Sequence, residues 1–170
     1  HSLTESPPGL RTSGTAQPGT ASPFIQQDRE RATMAAKPNT RERILQASLQ
    51  LFNTQGERNV TTNHIASHLG ISPGNLYYHF RNKSMIVAEL FTEFERRMEV
   101  FFTLPDDATV TLEDKTLYLE RLLEIIWQFR FLHQGLEYLL ESDPELAVRY
   151  RQFSQRSLCN TQKIYQAFAD

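Results

Sequence analysis

Between Thr61 and Phe80 the sequence places two complete helix signals in a very short span, which few arrangements other than two short, angled helices can satisfy. Thr61 is a natural N-cap for a segment whose inner face is Ile65, Ala66 and Leu69, and Gly70 closes it. Ile71 then plugs a turn of minimal length. Ser72 caps again, Pro73 stands where a first-turn residue needs no N–H, and Leu76, Tyr77 and Phe80 continue one face. Two helices of about eight residues thus meet across Gly70, Ile71 and Ser72, the geometry of a helix-turn-helix whose second helix can enter a DNA major groove.

The surrounding pattern is helical throughout. Asn39 with Glu42 predicts a capping box for a helix over about 40–55, with Ile44, Leu45, Leu49, Leu51 and Phe52 as its apolar face and Gly56 as its stop. Lys83 to Leu104 carries a wide apolar stripe that includes Ile86, Leu90, Phe94 and Phe101, ended by Pro105. Thr111 with Asp114 opens a further amphipathic region, which is long for one globular helix and predicts a break near Phe131 to Gly135. Asp143 and Pro144 start a last helix. No strand alternation appears, so the fold class expected is all-α.

From residue 1 to 36 sixteen residues are Gly, Pro, Ser or Thr, without apolar periodicity. Such a segment cannot bury enough surface to offset its ordering entropy, and a disordered N-terminal tail is expected there. Met34, just ahead of the first helix signal, suggests that the preceding residues are an extension upstream of the natural start. The domain organisation expected is a tail over 1–36, a helix-turn-helix domain over 37–83 and a helical effector-binding and dimerisation domain over 84–170.

Charge marks the same region. Residues 37–104 hold eight basic and six acidic side chains, whereas 105–170 hold seven and eleven. Arg58 to Ala88 contains Arg58, Arg81 and Lys83 with no acid, and a polyanion approaches such a window with least repulsion. On the second short helix the face opposite Leu76 and Phe80 carries Gly74, Asn75, Tyr78 and His79. Asn can read adenine bidentately, Tyr and His can reach phosphate or a base edge, and Gly74 with Pro73 lets the backbone come close. Thr61 and Thr62 place hydroxyls and free N–H groups at a helix start, where phosphate is stabilised. Lys83 is expected to clamp the DNA backbone from the other side.

The run from Val60 to Lys83, VTTNHIASHLGISPGNLYYHFRNK, closely resembles the DNA-binding domain of the TetR family of transcriptional regulators, and the helix before it fits too. The match covers about residues 40 to 90, with Thr, Ile-Ala, Leu-Gly-Ile-Ser, Leu-Tyr-Tyr-His-Phe and Lys at the family's spacings. The resemblance implies DNA contacts from Thr62, Asn63, Pro73, Gly74, Asn75, Tyr77, Tyr78, His79 and Lys83, to which the capping residues Thr61 and Ser72 are added. It also implies a three-helix reading head joined by a long helix to a variable ligand-binding and dimerising domain. Asn63 stands where some members carry a base-reading Arg. The sequence stops at Asp170 inside an amphipathic pattern, and a C-terminally truncated chain is expected on that ground, with a homodimer only in the full-length protein.

The function expected is a DNA-binding regulator, a repressor released from a palindromic double-stranded operator by a small-molecule effector. The alternative is a helical protein-interaction module that uses the same surface without DNA. An enzyme is disfavoured because no paired carboxylates, Gly-rich phosphate loop or base beside the lone Cys159 is found. No cofactor is expected. His64 and His68 have the spacing of a metal pair but lack a third ligand, so no metal is expected either. Aromatics at helical spacing usually mean core; the family resemblance alone makes Phe91, Phe94, Trp127 and Phe131 candidates for an effector cavity. No apolar run is long enough to span a membrane, and the opening segment lacks a secretory pattern, which points to the cytoplasm.

Overall fold

The structure, a computed structural model, describes residues 38–102 and 111–169. The expected tail, the upstream-extension reading and the stop at Pro105 all lie outside the described residues. Among those residues the chain is helical, with no strand.

Helix α1, Thr40–Gln55, starts as its sequence dictates. Asn39 accepts from the Glu42 amide at 3.0 Å, and the Glu42 carboxylate accepts from the Asn39 amide at 2.9 Å. The chain leaves the helix at Gly56, whose φ of 81° lies where side chains are strained. A 3-10 turn, Glu57–Asn59, leads to Thr61, which caps α2, Thr62–Leu69. Gly70 takes a left-handed conformation, and the Ile71 amide reaches back to the Ala66 carbonyl at 3.0 Å. That six-to-one bond is a Schellman closure, so α3, Pro73–His79, begins at once under the Ser72 cap.

Asn82 caps α4, Lys83–Glu99, by accepting from the Met85 amide at 2.9 Å. The α-helix is shorter than the stripe predicted, because its end tightens into a 3-10 turn over Val100–Phe102. Thr111 and Asp114 form the capping box of α5, Leu112–Gln128. The break expected near Phe131 to Gly135 is found at Gly135, which closes α6, Arg130–Gln134, and an additional one at Phe129 separates α5 from α6. Asn53 of α1 explains the break at Phe129. Its side-chain amide donates to the Gln128 carbonyl at 2.7 Å, and its oxygen accepts from the Phe131 amide at 3.0 Å. Two backbone groups that an interrupted helix leaves unpaired are thus satisfied by another element. Short α7, Leu136–Ser142, and long α8, Pro144–Ala169, complete the described body.

One core runs through these elements. It includes Ile44, Phe52, Ile65, Leu76 and Phe80 at the N-terminal end and continues through Phe91, Phe94, Phe131, Leu139 and Phe153. Arg149 of α8 fastens this body to α4, donating to Glu95 at 2.6 Å and to the Thr92 hydroxyl at 2.9 Å while its guanidinium lies over Phe91. No helix of the described residues is long and apolar enough to cross a membrane.

Candidate nucleic-acid interface

Two turns of α3 decide which of its side chains can meet a ligand. Leu76 is fully buried, and Phe80 just beyond the helix is buried with it, so the opposite face is turned outward by the same packing. Pro73, Gly74 and Asn75 are exposed, and Tyr78 is 86% exposed. His79 is half-buried, with its ring edge-on to that of Tyr78 at 5.2 Å. A Cβ at Gly74 would meet nothing within 4 Å; its fitness for close backbone approach lies in the bare surface it leaves.

Tyr77 occupies the border between core and surface. Its ring is partly covered, and its hydroxyl lies 3.3 Å from the Thr62 hydroxyl, tying the start of α2 to α3. Thr61 and Ser72 use their hydroxyl oxygens as caps, accepting from the amides of His64 and Asn75 at 3.2 Å each. Each keeps its O–H free to donate outward. Asn63 is exposed on the first turn of α2. Its neighbour His64 turns back to the cap, where its Nδ1 accepts from the Thr61 amide at 3.4 Å.

The starts of α2 and α4 enclose a cleft of about 270 Å³ beside α3, lined by Thr61, Thr62, Tyr77, Arg81, Asn82 and Lys83. Hydroxyls, helix-start amides and the Arg81 cation on one cleft are a chemistry suited to an anion. Arg81, which also lines this cleft, is not among the residues that the motif points to. The signal was present, since Arg81 lies in the acid-free window one residue before the Asn82 cap, and the structure leaves it exposed at the rim.

Lys83 departs from expectation. Its ammonium is not extended toward solvent: it donates to the carbonyls of Glu57 and Val60 at 2.8 and 3.0 Å and pairs with the Glu57 carboxylate at 2.8 Å. Glu57, one residue outside the acid-free window, is buried and neutralises the charge that the window assigned to the surface. Arg58 stays exposed, with its guanidinium over the Tyr138 ring at 4.3 Å.

The four aromatic residues expected at an effector cavity lie in different settings. Phe91 and Phe94 are buried and packed on each other and on Phe153 of α8. Phe131 lies against Phe52 of α1, with ring centroids 5.3 Å apart. Trp127 is 69% exposed on the outer face of α5, with the Arg130 guanidinium 4.7 Å above its ring. The inward face of α5 belongs to Tyr118, Leu122 and Ile125, and helical geometry turns Trp127 away from it.

Comparison with known proteins gives consistent matches. Residues 44–90 match the family model of bacterial regulatory proteins, tetR family, and residues 93–170 match one described as bacterial transcriptional repressor. A helix-turn-helix (HTH)-type transcriptional regulator of Staphylococcus aureus (strain MRSA252) is 33% identical over 111 residues, which is 63% of this chain and 56% of that protein. The regulator SrpR of Pseudomonas putida is 34% identical over 76 residues, 45% of this chain and 35% of its own length. The chain spans about half the length, or less, of these curated relatives. Among solved structures, a TetR-family transcriptional regulator from Marinobacter aquaeolei VT8 is 53% identical with a TM-score of 0.74, covering 78% of this chain and 66% of that one.

Proposed function

The chain belongs to the TetR family of bacterial transcriptional regulators, and on that premise we propose that it binds double-stranded DNA through α3 and represses transcription until an effector releases it. The observation that carries this reading is the outward, acid-free polar surface of α3 held on a buried Leu76 and Phe80. Asn75, Tyr78 and His79 are assigned to base edges and adjacent phosphates, and Pro73 and Gly74 to close backbone approach. Thr61, Thr62, Asn63, Ser72, Tyr77 and Arg81 are assigned to the flanking phosphates or bases. Residues 37–83 act as the reading head, and 84–170 belong to the body that senses the effector and dimerises.

Regulation, in this proposal, runs along α4. Its first turn adjoins the DNA-facing cleft, and its middle is packed through Phe91 and Phe94 against α8. An effector that repacks this aromatic cluster changes the tilt of α4 and so the separation of two heads in a dimer.

Selection of duplexes from a random-sequence pool, followed by footprinting of the winner, tests the reading. A protected inverted repeat, with affinity falling steeply as salt rises, is the expected result. Selection of no duplex sinks the proposal and leaves the protein-interaction alternative.

A further inference from the structure

We propose that Lys83 is a positioning residue, whose partly buried ammonium, paired with the buried Glu57, locks the start of α2 onto the start of α4 without neutralising a DNA phosphate. The inference rests on the DNA-binding reading above and changes the role of one of its residues. A lysine ammonium has three N–H donors. All three have acceptors here: the Glu57 carbonyl, the Val60 carbonyl and the Glu57 carboxylate. The other Glu57 carboxylate oxygen is buried without a partner, so this carboxylate depends on Lys83 for its compensation. Swinging the ammonium out to a phosphate would leave a buried charge alone and two carbonyls without their cation, and removing one partner of a buried pair is strongly unfavourable.

The position of this socket gives it a function. The 3-10 turn Glu57–Asn59 has no side-chain cap at its start, and at its end the Val60 amide donates to the Glu57 carbonyl at 3.2 Å. Lys83 joins that same carbonyl to the one at Val60, the residue immediately before the Thr61 cap of α2. The first residue of α4 therefore fixes the hydroxyls and amides with which the start of α2 would meet DNA. Tilting α4 moves this anchor directly, giving the body a route to α2 besides the turn into α3. Arg81 remains as the exposed cation of the cleft.

The test uses the duplex that the wild-type chain selects from a random pool, titrated over a series of salt concentrations. The variants are E57L/K83M, which removes the pair without leaving a buried charge, K83R, K83M and R81Q. Loss of a direct phosphate contact lowers the slope of log affinity against log salt by about 0.9. R81Q is expected to show that drop. E57L/K83M is expected to bind roughly tenfold more weakly with its slope unchanged, a loss within the range for coupling through packed residues. K83R keeps the charge but does not fit three bonds in the same socket, so it too is expected to lose affinity. A slope drop in E57L/K83M, or wild-type affinity in either E57L/K83M or K83R, overturns the proposal. K83M is expected to melt below E57L/K83M, and equal melting temperatures count against the pair. Amide hydrogen exchange without DNA supplies an independent arm: in E57L/K83M and K83R the Val60 and Ile65 amides should exchange faster relative to that of Phe80. Unchanged rates refute the anchor. If the wild-type chain selects no duplex, the DNA-binding reading has failed, and exchange still decides the anchor.

Discussion

Leu76 and Tyr78 stand two positions apart on α3 and face opposite environments, the first without solvent contact and the second almost wholly in it. On a helix that spacing is about 200°, so the packing that buries one presents the other. Tyr78→Ala is therefore expected to weaken operator binding by about 1–3 kcal/mol while leaving the thermal melt nearly unchanged, as titration and melting of the same sample would show. The same substitution at Lys83 separates differently from what the motif suggests. As a surface clamp it would lower affinity alone; as the partner of buried Glu57, Lys83→Ala should cost about 3 kcal/mol of folding stability, measured by denaturant unfolding. Lys83 was legible as important because the Lys falls at the family's spacing. Its direction was not, because nothing in the residues near Lys83 announces that Glu57 turns inward to meet it.

At the scale of elements, the caps did most of the work that sequence can do. Asn39, Thr61, Ser72 and Thr111 each begin a helix at the expected residue, since a cap is a bond between residues three apart and needs no distant partner. The break after α5 is the contrary case. A break near Gly135 could be read from the sequence, but the one at Phe129 was selected by Asn53, more than seventy residues earlier in the chain. Asn53→Ala is expected to cost about 1 kcal/mol, because it removes the partner of the partly buried Phe131 amide while water can replace the exposed bond to the Gln128 carbonyl. Equilibrium unfolding gives the total loss, and hydrogen exchange at Phe131 shows whether it is local. An unchanged Phe131 exchange rate would remove Asn53 from the account of the break.

At the scale of the whole molecule, stability and DNA geometry respond to different variables. Partial burial of His133 against Phe94 lowers its pKa from the ordinary 6.5, so the folded state resists protonation. Above pH 6.5 its contribution is fully present; as pH falls below that value the unfolded chain binds the proton first and stability declines. Glu93 acts lower. Partial burial would raise its pKa, but hydrogen bonds from Arg96 and Arg97 prevail and lower it from 4.5 to about 2, so its contribution is lost as pH falls through that interval. His133→Gln should flatten the upper part of the melting-temperature profile and leave the lower part alone. For the proposed dimer, two reading heads require half-sites separated by about 34–36 Å or a multiple, one DNA repeat. Inserting half a turn of DNA between the half-sites should abolish tight binding, whereas inserting a full turn should spare more of it.

What the sequence determined by itself was everything held within a few residues: the helical class, the caps, the turn at Gly70 and the outward polar face of α3. Those features follow from backbone hydrogen bonding and helical period, which act locally. Only the tertiary structure decided where long side chains finish. It drew Lys83 inward to Glu57, laid the exposed Arg58 over Tyr138, left Arg81 at the cleft, set Trp127 on the outside and gave the Gln128 carbonyl to Asn53. A long or polar side chain goes to the acceptor that compensates it best, and that acceptor belongs to another part of the chain.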